Sequence, residues 1–345
     1  MLMSKKKRRQ LLGLLAALCA AVLLLLCVVL FNRHQAAKET ADAESSQIST
    51  GLSDDPVRLS WSQNGGTVEL VCDSDGNWSW AEDSEFPLNA SLVQSLTSAL
   101  KNPAVREMDM ADTAEAYGLA EPSASVETED ADGTTARLLI GGSFTETDTD
   151  GSSKTYYYAQ REGSDKVLQL DAALVSQLTD SIYDLAQTSQ FETLSTDQVT
   201  SLSISGSVTT SFTVQAVDSE NDDGETETEY HWYCGDTDVT DASLLGSLRA
   251  ELLKNPFTAM ADWKPDDAAL VRYGLDQPIT VTVNYTDSDG SAAARTLLIG
   301  SLTGEGSNYY CSPDGGKSVY LVGASSLTDT AAVAASGFDA AAEAD

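Results

Sequence analysis

Apolar and polar positions follow two different regimes along the chain. From Leu11 to Phe31 the sequence runs 21 residues without a charge. As a helix this run is roughly 31 Å long, close to the ~30 Å thickness of a bilayer core. Lys5, Lys6, Lys7, Arg8 and Arg9 precede it, and Arg33 and Lys38 follow. That bias places the N-terminus in the cytoplasm and everything after the run outside. The run exceeds the roughly 7–15 residues of a cleaved signal's apolar core. Leu18 and Leu26 stand before Cys19 and Cys27, where a lipoprotein signal carries a small residue. The pattern therefore predicts a cytoplasmic segment 1–10, a single transmembrane helix 11–31 and a polar, acidic linker 32–56.

Beyond the linker the apolar spacing is shorter in range, and it occurs twice. Asn89-Ala-Ser-Leu-Val-Gln-Ser-Leu leads to Lys101-Asn-Pro103, and Asp241-Ala-Ser-Leu-Leu-Gly-Ser-Leu leads to Lys254-Asn-Pro256. Tyr117-Gly-Leu-Ala-Glu-Pro122 is matched by Tyr273-Gly-Leu-Asp-Gln-Pro278, and Leu138-Leu-Ile-Gly141 by Leu297-Leu-Ile-Gly300. Tyr156-Tyr157 is paired with Tyr309-Tyr310. Four matches in one order indicate a tandem duplication. They set ectodomain repeats at 57–190 and 191–328, with an Ala-rich tail 329–345 open to either a helix or a frayed end.

Within each repeat, period-two runs predict two opening strands, Val68–Cys72 and Asn77–Ala81, then Ser211–Val217 and Glu229–Cys234. Leu92, Val93, Leu96 and Leu100 fall on one helical face, as do Leu244, Leu245, Leu248 and Leu252. Asn89 and Asp241 are suitable N-caps. A second, shorter helix is expected to end at each Tyr-Gly-Leu in a Schellman stop. Four strands follow (Ser125–Glu129, Arg137–Ile140, Thr155–Gln160 and Lys166–Leu170 in the first repeat), and Asp171–Leu185 closes it as a helix. The fold class is α+β: two tandem homologous domains, each a mainly antiparallel sheet with helices packed on one side.

Charge sharpens the location and narrows the partners. The chain has 20 basic and 53 acidic residues, a net charge of −33. Seven basic residues lie before Glu39, which leaves 13 against all 53 acids in the rest. Such a polyanion repels nucleic acid. Cys72, Cys234 and Cys311 are an odd set without C-x-x-C, so no zinc ribbon or disulfide framework is indicated; in an oxidising compartment there is room for one bond, for instance Cys234–Cys311.

Candidate chemistry is sparse. Asp73-Ser-Asp-Gly76, Asp130-Ala-Asp-Gly133, Asp148-Thr-Asp-Gly151 and Asp287-Ser-Asp-Gly290 resemble calcium loops, but the positions six after each Gly are Glu82, Leu139, Tyr157 and Thr296. Only one is acidic, so hairpin turns are expected. His34 borders the membrane run and His231 sits in a strand, which suits a structural role. Ser98-Ala-Leu-Lys101 lacks the later motif of penicillin-recognising enzymes and is set aside. Trp61, Trp78, Trp80 and Trp232 are read as core, with a sugar- or peptide-stacking face as the alternative. No catalytic, cofactor or metal residue is assigned.

The run from Trp80 through Phe86-Pro-Leu-Asn89, the two Y-G-L-x-x-P segments, the L-x-I-G strand and the tyrosine pair resemble the bacterial family called domain of unknown function 4340, over roughly residues 60–325. That resemblance implies an envelope accessory role, in some members beside ABC-transporter components. Together these features predict a non-enzymatic, membrane-anchored extracellular binding or scaffolding protein with an envelope partner. The alternatives are a glycan- or peptide-binding module and an unrecognised hydrolase.

Overall fold

In the computed structural model, residues 49–101, 105–108, 112–147, 151–220 and 226–339 are described. The expected segments 1–10 and 11–31, and most of the linker 32–56, lie outside them. Among the described residues no helix is long and apolar enough to cross a membrane.

The first half of the chain carries β1 (Arg58–Gln63), β2 (Gly66–Cys72), β3 (Trp78–Trp80), α1 (Ala90–Lys101), β4 (Val105–Met108), β5 (Ala124–Glu129), β6 (Thr135–Thr147), β7 (Ser153–Arg161), β8 (Val167–Asp171) and α2 (Ala172–Val175). The second carries β9 (Val199–Ser205), β10 (Thr209–Glu220), β11 (Thr226–Cys234), β12 (Thr237–Asp238), α3 (Ser243–Leu252), β13 (Phe257–Trp263) and α4 (Asp267–Arg272). It ends with β14 (Ile279–Thr286), β15 (Ala292–Leu302), β16 (Asn308–Ser312), β17 (Ser318–Gly323) and α5 (Thr328–Ser336).

The strands form two sheets, ordered β3-β2-β1-β5-β6-β7-β8-β4 and β12-β11-β10-β9-β14-β15-β16-β17-β13. The paths coincide. The opening strands start at the centre and run out to one edge, the four later strands run from the centre toward the other, and the strand after the long helix (β4 or β13) lies at that far edge. β12 is the one addition. Two sheets tracing one route are the structural form of the tandem repeat, and both are antiparallel with few helices.

Contact density parts the chain into two compact units, one built on 99–128 and 133–176, the other on 56–98, 129–132 and 177–339. In the first, Val126, Leu138, Ile140, Ala159, Leu168 and Leu170 are buried. In the second, strand alternation sorts the faces. Leu202 and Ile204 of β9, and Val281 and Val283 of β14, point inward, while Ser201, Ser203, Thr280 and Thr282 alternate with them. All four predicted leucines of α3 are buried, each worth roughly 1.5–3 kcal/mol of transfer free energy.

The second unit also fixes its helix ends with charge. Glu251, near the end of α3, accepts bonds from Asp329 N (3.1 Å), Thr330 N (2.9 Å) and Thr330 Oγ1 (2.7 Å), so a carboxylate sits at the N-terminus of α5. Arg295 of β15 donates to the carbonyls of Leu252 and Glu192, and its guanidinium lies 4.9 Å over Phe191. The open question of the tail resolves through 336 as a helix with Thr330, Val333 and Ala334 buried.

Several expectations are corrected. β1 and β9 were not anticipated, nor were β4 and β13, which occupy the gap between the predicted helices. In the first repeat the second helix is reduced to a turn over 114–118. The closing helix 171–185 is broken into α2 and a 3-10 turn, Ile182–Leu185. Leu92 is 38% exposed, off the buried face. Asn89 caps α1 through Ser91 N (3.0 Å), but α3 begins after Ala242 without a side-chain cap, so Asp241 does not serve. The ladders also shift the tyrosine match by one. Tyr157 faces Leu170 as Tyr309 faces Val322, and Tyr158 faces Gln169 as Tyr310 faces Leu321, so the equivalent pair is Tyr157-Tyr158.

Candidate functional site

The residues that recur in both repeats meet each other. In the first repeat, Leu119 N bonds to Ala114 O (2.8 Å) and Gly118 N to Glu115 O (3.1 Å), with Gly118 at φ +69°. In the second, Leu275 N bonds to Leu270 O (2.9 Å) and Gly274 N to Val271 O (3.1 Å), with Gly274 at φ +68°. Both are Schellman stops, as the spacing predicts. The next carbonyl then docks on the L-I-G strand: Tyr117 O accepts from Gly142 N (2.9 Å) and Tyr273 O from Ser301 N (2.7 Å). A Cβ on Gly141 would lie 2.3 Å from Tyr117 O, and one on Gly300 2.1 Å from Tyr273 O. Glycine is required there because two backbones touch. The tyrosine rings finish the seat: Tyr117 meets Tyr158 at 4.8 Å, and Tyr273 meets Tyr310 at 4.5 Å. Tyr273 also donates to Asp262 Oδ2 (3.0 Å); burial, then that carboxylate, pushes its hydroxyl up to about 12. The most recognisable motifs of the chain are thus a folding device.

A second cluster brings together residues from the two sequence repeats. Phe86, 4% exposed, is edge-on to Trp80 (5.3 Å) and Trp263 (5.8 Å) and stacks on Tyr183 (6.0 Å). Lys264 binds Asp83 (2.7 Å) and Glu85 (2.6 Å), while Trp263 Nε1 donates to the same Asp83 oxygen (3.0 Å). These donors, Lys264 first, hold the Asp83 carboxyl down to about 2. Lys264 adopts φ +54°, a left-handed conformation that costs a non-glycine residue about 1 kcal/mol.

His231 lies between two carboxylates. Its Nδ1 is 2.9 Å from Asp238 and its Nε2 is 3.4 Å from Glu229. Asp238, chiefly through bonds from the Thr240 hydroxyl and amide, is held down to about 2, and His231 is raised in turn, chiefly by Asp238. Both ring nitrogens are engaged, which favours the imidazolium and leaves neither nitrogen open to a substrate.

The remaining candidates fall into place locally. The turns at 73–76 and 287–290 close by Asx bonds: Asp73 Oδ1 accepts from Asn77 N (2.8 Å) and Asp287 Oδ1 from Ser291 N (3.0 Å). Each, with the turn at 130–133, joins neighbouring antiparallel strands; 148–150 are outside the described residues. Among the described residues no His/Cys/Asp/Glu group is arranged to hold a metal ion. Trp61 and Trp232 are core, at 2% and 0% exposure, while Trp78 and Trp80 are half-buried on β3. Lys101 of the discarded S-x-x-K pairs with Asp55 at 3.5 Å. Cys234 is half-buried and Cys311 fully buried, and both are free thiols in this structure, unbridged to each other.

The repeated residues thus seat backbone against backbone in a duplicated antiparallel fold with few helices. The chain belongs to the family described as Domain of unknown function (DUF4340), which matches residues 78–256 and 245–336. No curated protein and no solved structure matches it.

Proposed function

We propose that this chain is a membrane-anchored extracytoplasmic binding or scaffolding protein, held by the apolar run 11–31 and serving an envelope complex of the ABC-transport type. One observation carries the reading. The residues kept in both repeats, Tyr117-Gly-Leu with Gly141 and Tyr273-Gly-Leu with Gly300, are used in backbone seating, so what is duplicated is a shape. A repeated shape with strongly acidic surfaces suits partner binding more than turnover. The test is affinity purification of the intact protein after treating whole cells with a membrane-impermeant crosslinker. Capture of an integral envelope protein is expected. Recovery of the chain alone, with crosslinker present and reactive, would count against the partner.

Glycan or peptide binding is a second reading, and one observation favours it. Phe144 stacks on Tyr158 at 4.4 Å with Tyr156 at 5.8 Å, and all three rings are half-buried rather than sealed in the core. Retention on immobilised envelope glycan, lost in Tyr156→Ala, would support it.

A further inference from the structure

We propose that the cleft between segment 193–196 and the outer face of α3 binds a phosphate-bearing ligand. The cleft measures about 440 Å3, and its lining includes Thr193, Thr196, Gly246, Arg249, Ala250 and Lys254. None of its lining residues is acidic, in a chain with 53 acids and a net charge of −33. Among the described residues, neither Arg249 nor Lys254 has a carboxylate within ion-pair distance; they share this with Lys154, Arg161, Arg272, Arg295 and Lys317, but here two such cations line one cleft. The nearest acid along the helix, Glu251, has its carboxylate committed to the start of α5. Both cations therefore face the cleft without a neutralising carboxylate.

Arg249 is held ready. Its Nη2 donates to Thr196 Oγ1 at 2.7 Å, and its guanidinium lies 5.8 Å from the ring centre of Trp232, which is fully buried. A guanidinium has five N–H donors, so this bond leaves an edge for a ligand. The fork matches two oxygens of a phosphate, and the Lys254 ammonium and Thr hydroxyls add donors from other directions, which suits a tetrahedral group better than a planar one.

The helix beneath is cut away. Gly246 lies within α3, where glycine costs about 1 kcal/mol relative to Ala. A Cβ added there meets nothing within 4 Å, so packing does not demand the glycine. In the aligned first-repeat helix, Gln94 stands at this position and Thr97 at that of Arg249. The open floor and the cation therefore appear together, in one repeat only. This inference is independent of the anchoring and partner proposed above.

The test titrates the full-length chain, in uncharged detergent, with inorganic phosphate and with glycerol 3-phosphate by calorimetry. A parallel arm uses nanodiscs containing an anionic phospholipid. Saturable binding is expected, weakened about tenfold or more in Arg249→Gln and in Lys254→Gln. Gly246→Gln should abolish binding while the melting temperature stays at or above that of the parent, which separates a filled cleft from a misfolded chain. Binding in the phosphate and ester arms identifies a soluble or polymer-borne phosphate, and binding in the nanodisc arm alone, lost in Arg249→Gln, identifies a lipid headgroup; either supports the site. No binding in any arm, or equal binding by parent, Arg249→Gln and Gly246→Gln, overturns it.

Discussion

Glycines with similar conspicuousness in the sequence carry different physical loads. Gly300 has a backbone carbonyl where its Cβ would stand, whereas Gly133, at φ +84°, has nothing within 4 Å. Gly300→Ala should cost about 3 kcal/mol of unfolding free energy, because backbone must move. Gly133→Ala should cost only about 1–2 kcal/mol, for the left-handed conformation alone. Urea unfolding of the two variants checks the order. Charge at the residue scale gives a pH signature. The His231 pKa is raised in the folded state, so its pairing with Asp238 contributes fully below the ordinary histidine value. The contribution is lost as pH rises through the raised value. An NMR titration should place the His231 midpoint above that of the unfolded chain, and Asp238→Asn should bring it down. Asp83 has the opposite sign: its depressed carboxyl contributes above the ordinary carboxylate range, and the contribution fades as pH falls toward about 2.

Elements were legible where a side-chain period had one clear face to report. The leucines of α3 and the Tyr-Gly-Leu stops are of this kind, since burial and a positive φ each demand a residue type. The first strand was missed although its signal was present: Asn64-Gly65 lies between Gln63 and Gly66, which pair across β1 and β2, and both residues have positive φ, at 48° and 86°. The closing helix failed for another reason. Leu174, Leu178, Ile182 and Leu185 are all buried as their spacing implied, but tertiary contacts supply that burial without a continuous helix. Trp61 Nε1 donates to Thr179 O at 2.9 Å, Gln63 Nε2 to Leu178 O at 3.3 Å and Asn64 Nδ2 to the Asp180 carboxylate at 3.1 Å, so the 178–180 stretch supplies backbone and side-chain acceptors to β1 and its turn. No local pattern announces that. Nor does one announce Arg295, whose partners are carbonyls distant in sequence. Arg295→Leu should lower stability by about 2–4 kcal/mol, since two carbonyls lose charge-assisted donors, and thermal melts of the pair measure it.

At the scale of the whole molecule, the duplication is written in both sequence and sheet order, while the function is written in neither motif. The repeated residues hold the fold, and the features found in one repeat only, such as the Arg249 cleft, are where binding would diverge. The proposed anchoring and envelope role require that both repeats stand outside the cell. Cysteines introduced at two exposed hairpin tips, Asp75→Cys in the first repeat and Glu305→Cys in the second, test this on intact cells with a membrane-impermeant maleimide. Labelling of both variants above the parent before any permeabilisation is the expected result. Labelling of either tip only after the membrane is opened would contradict the account.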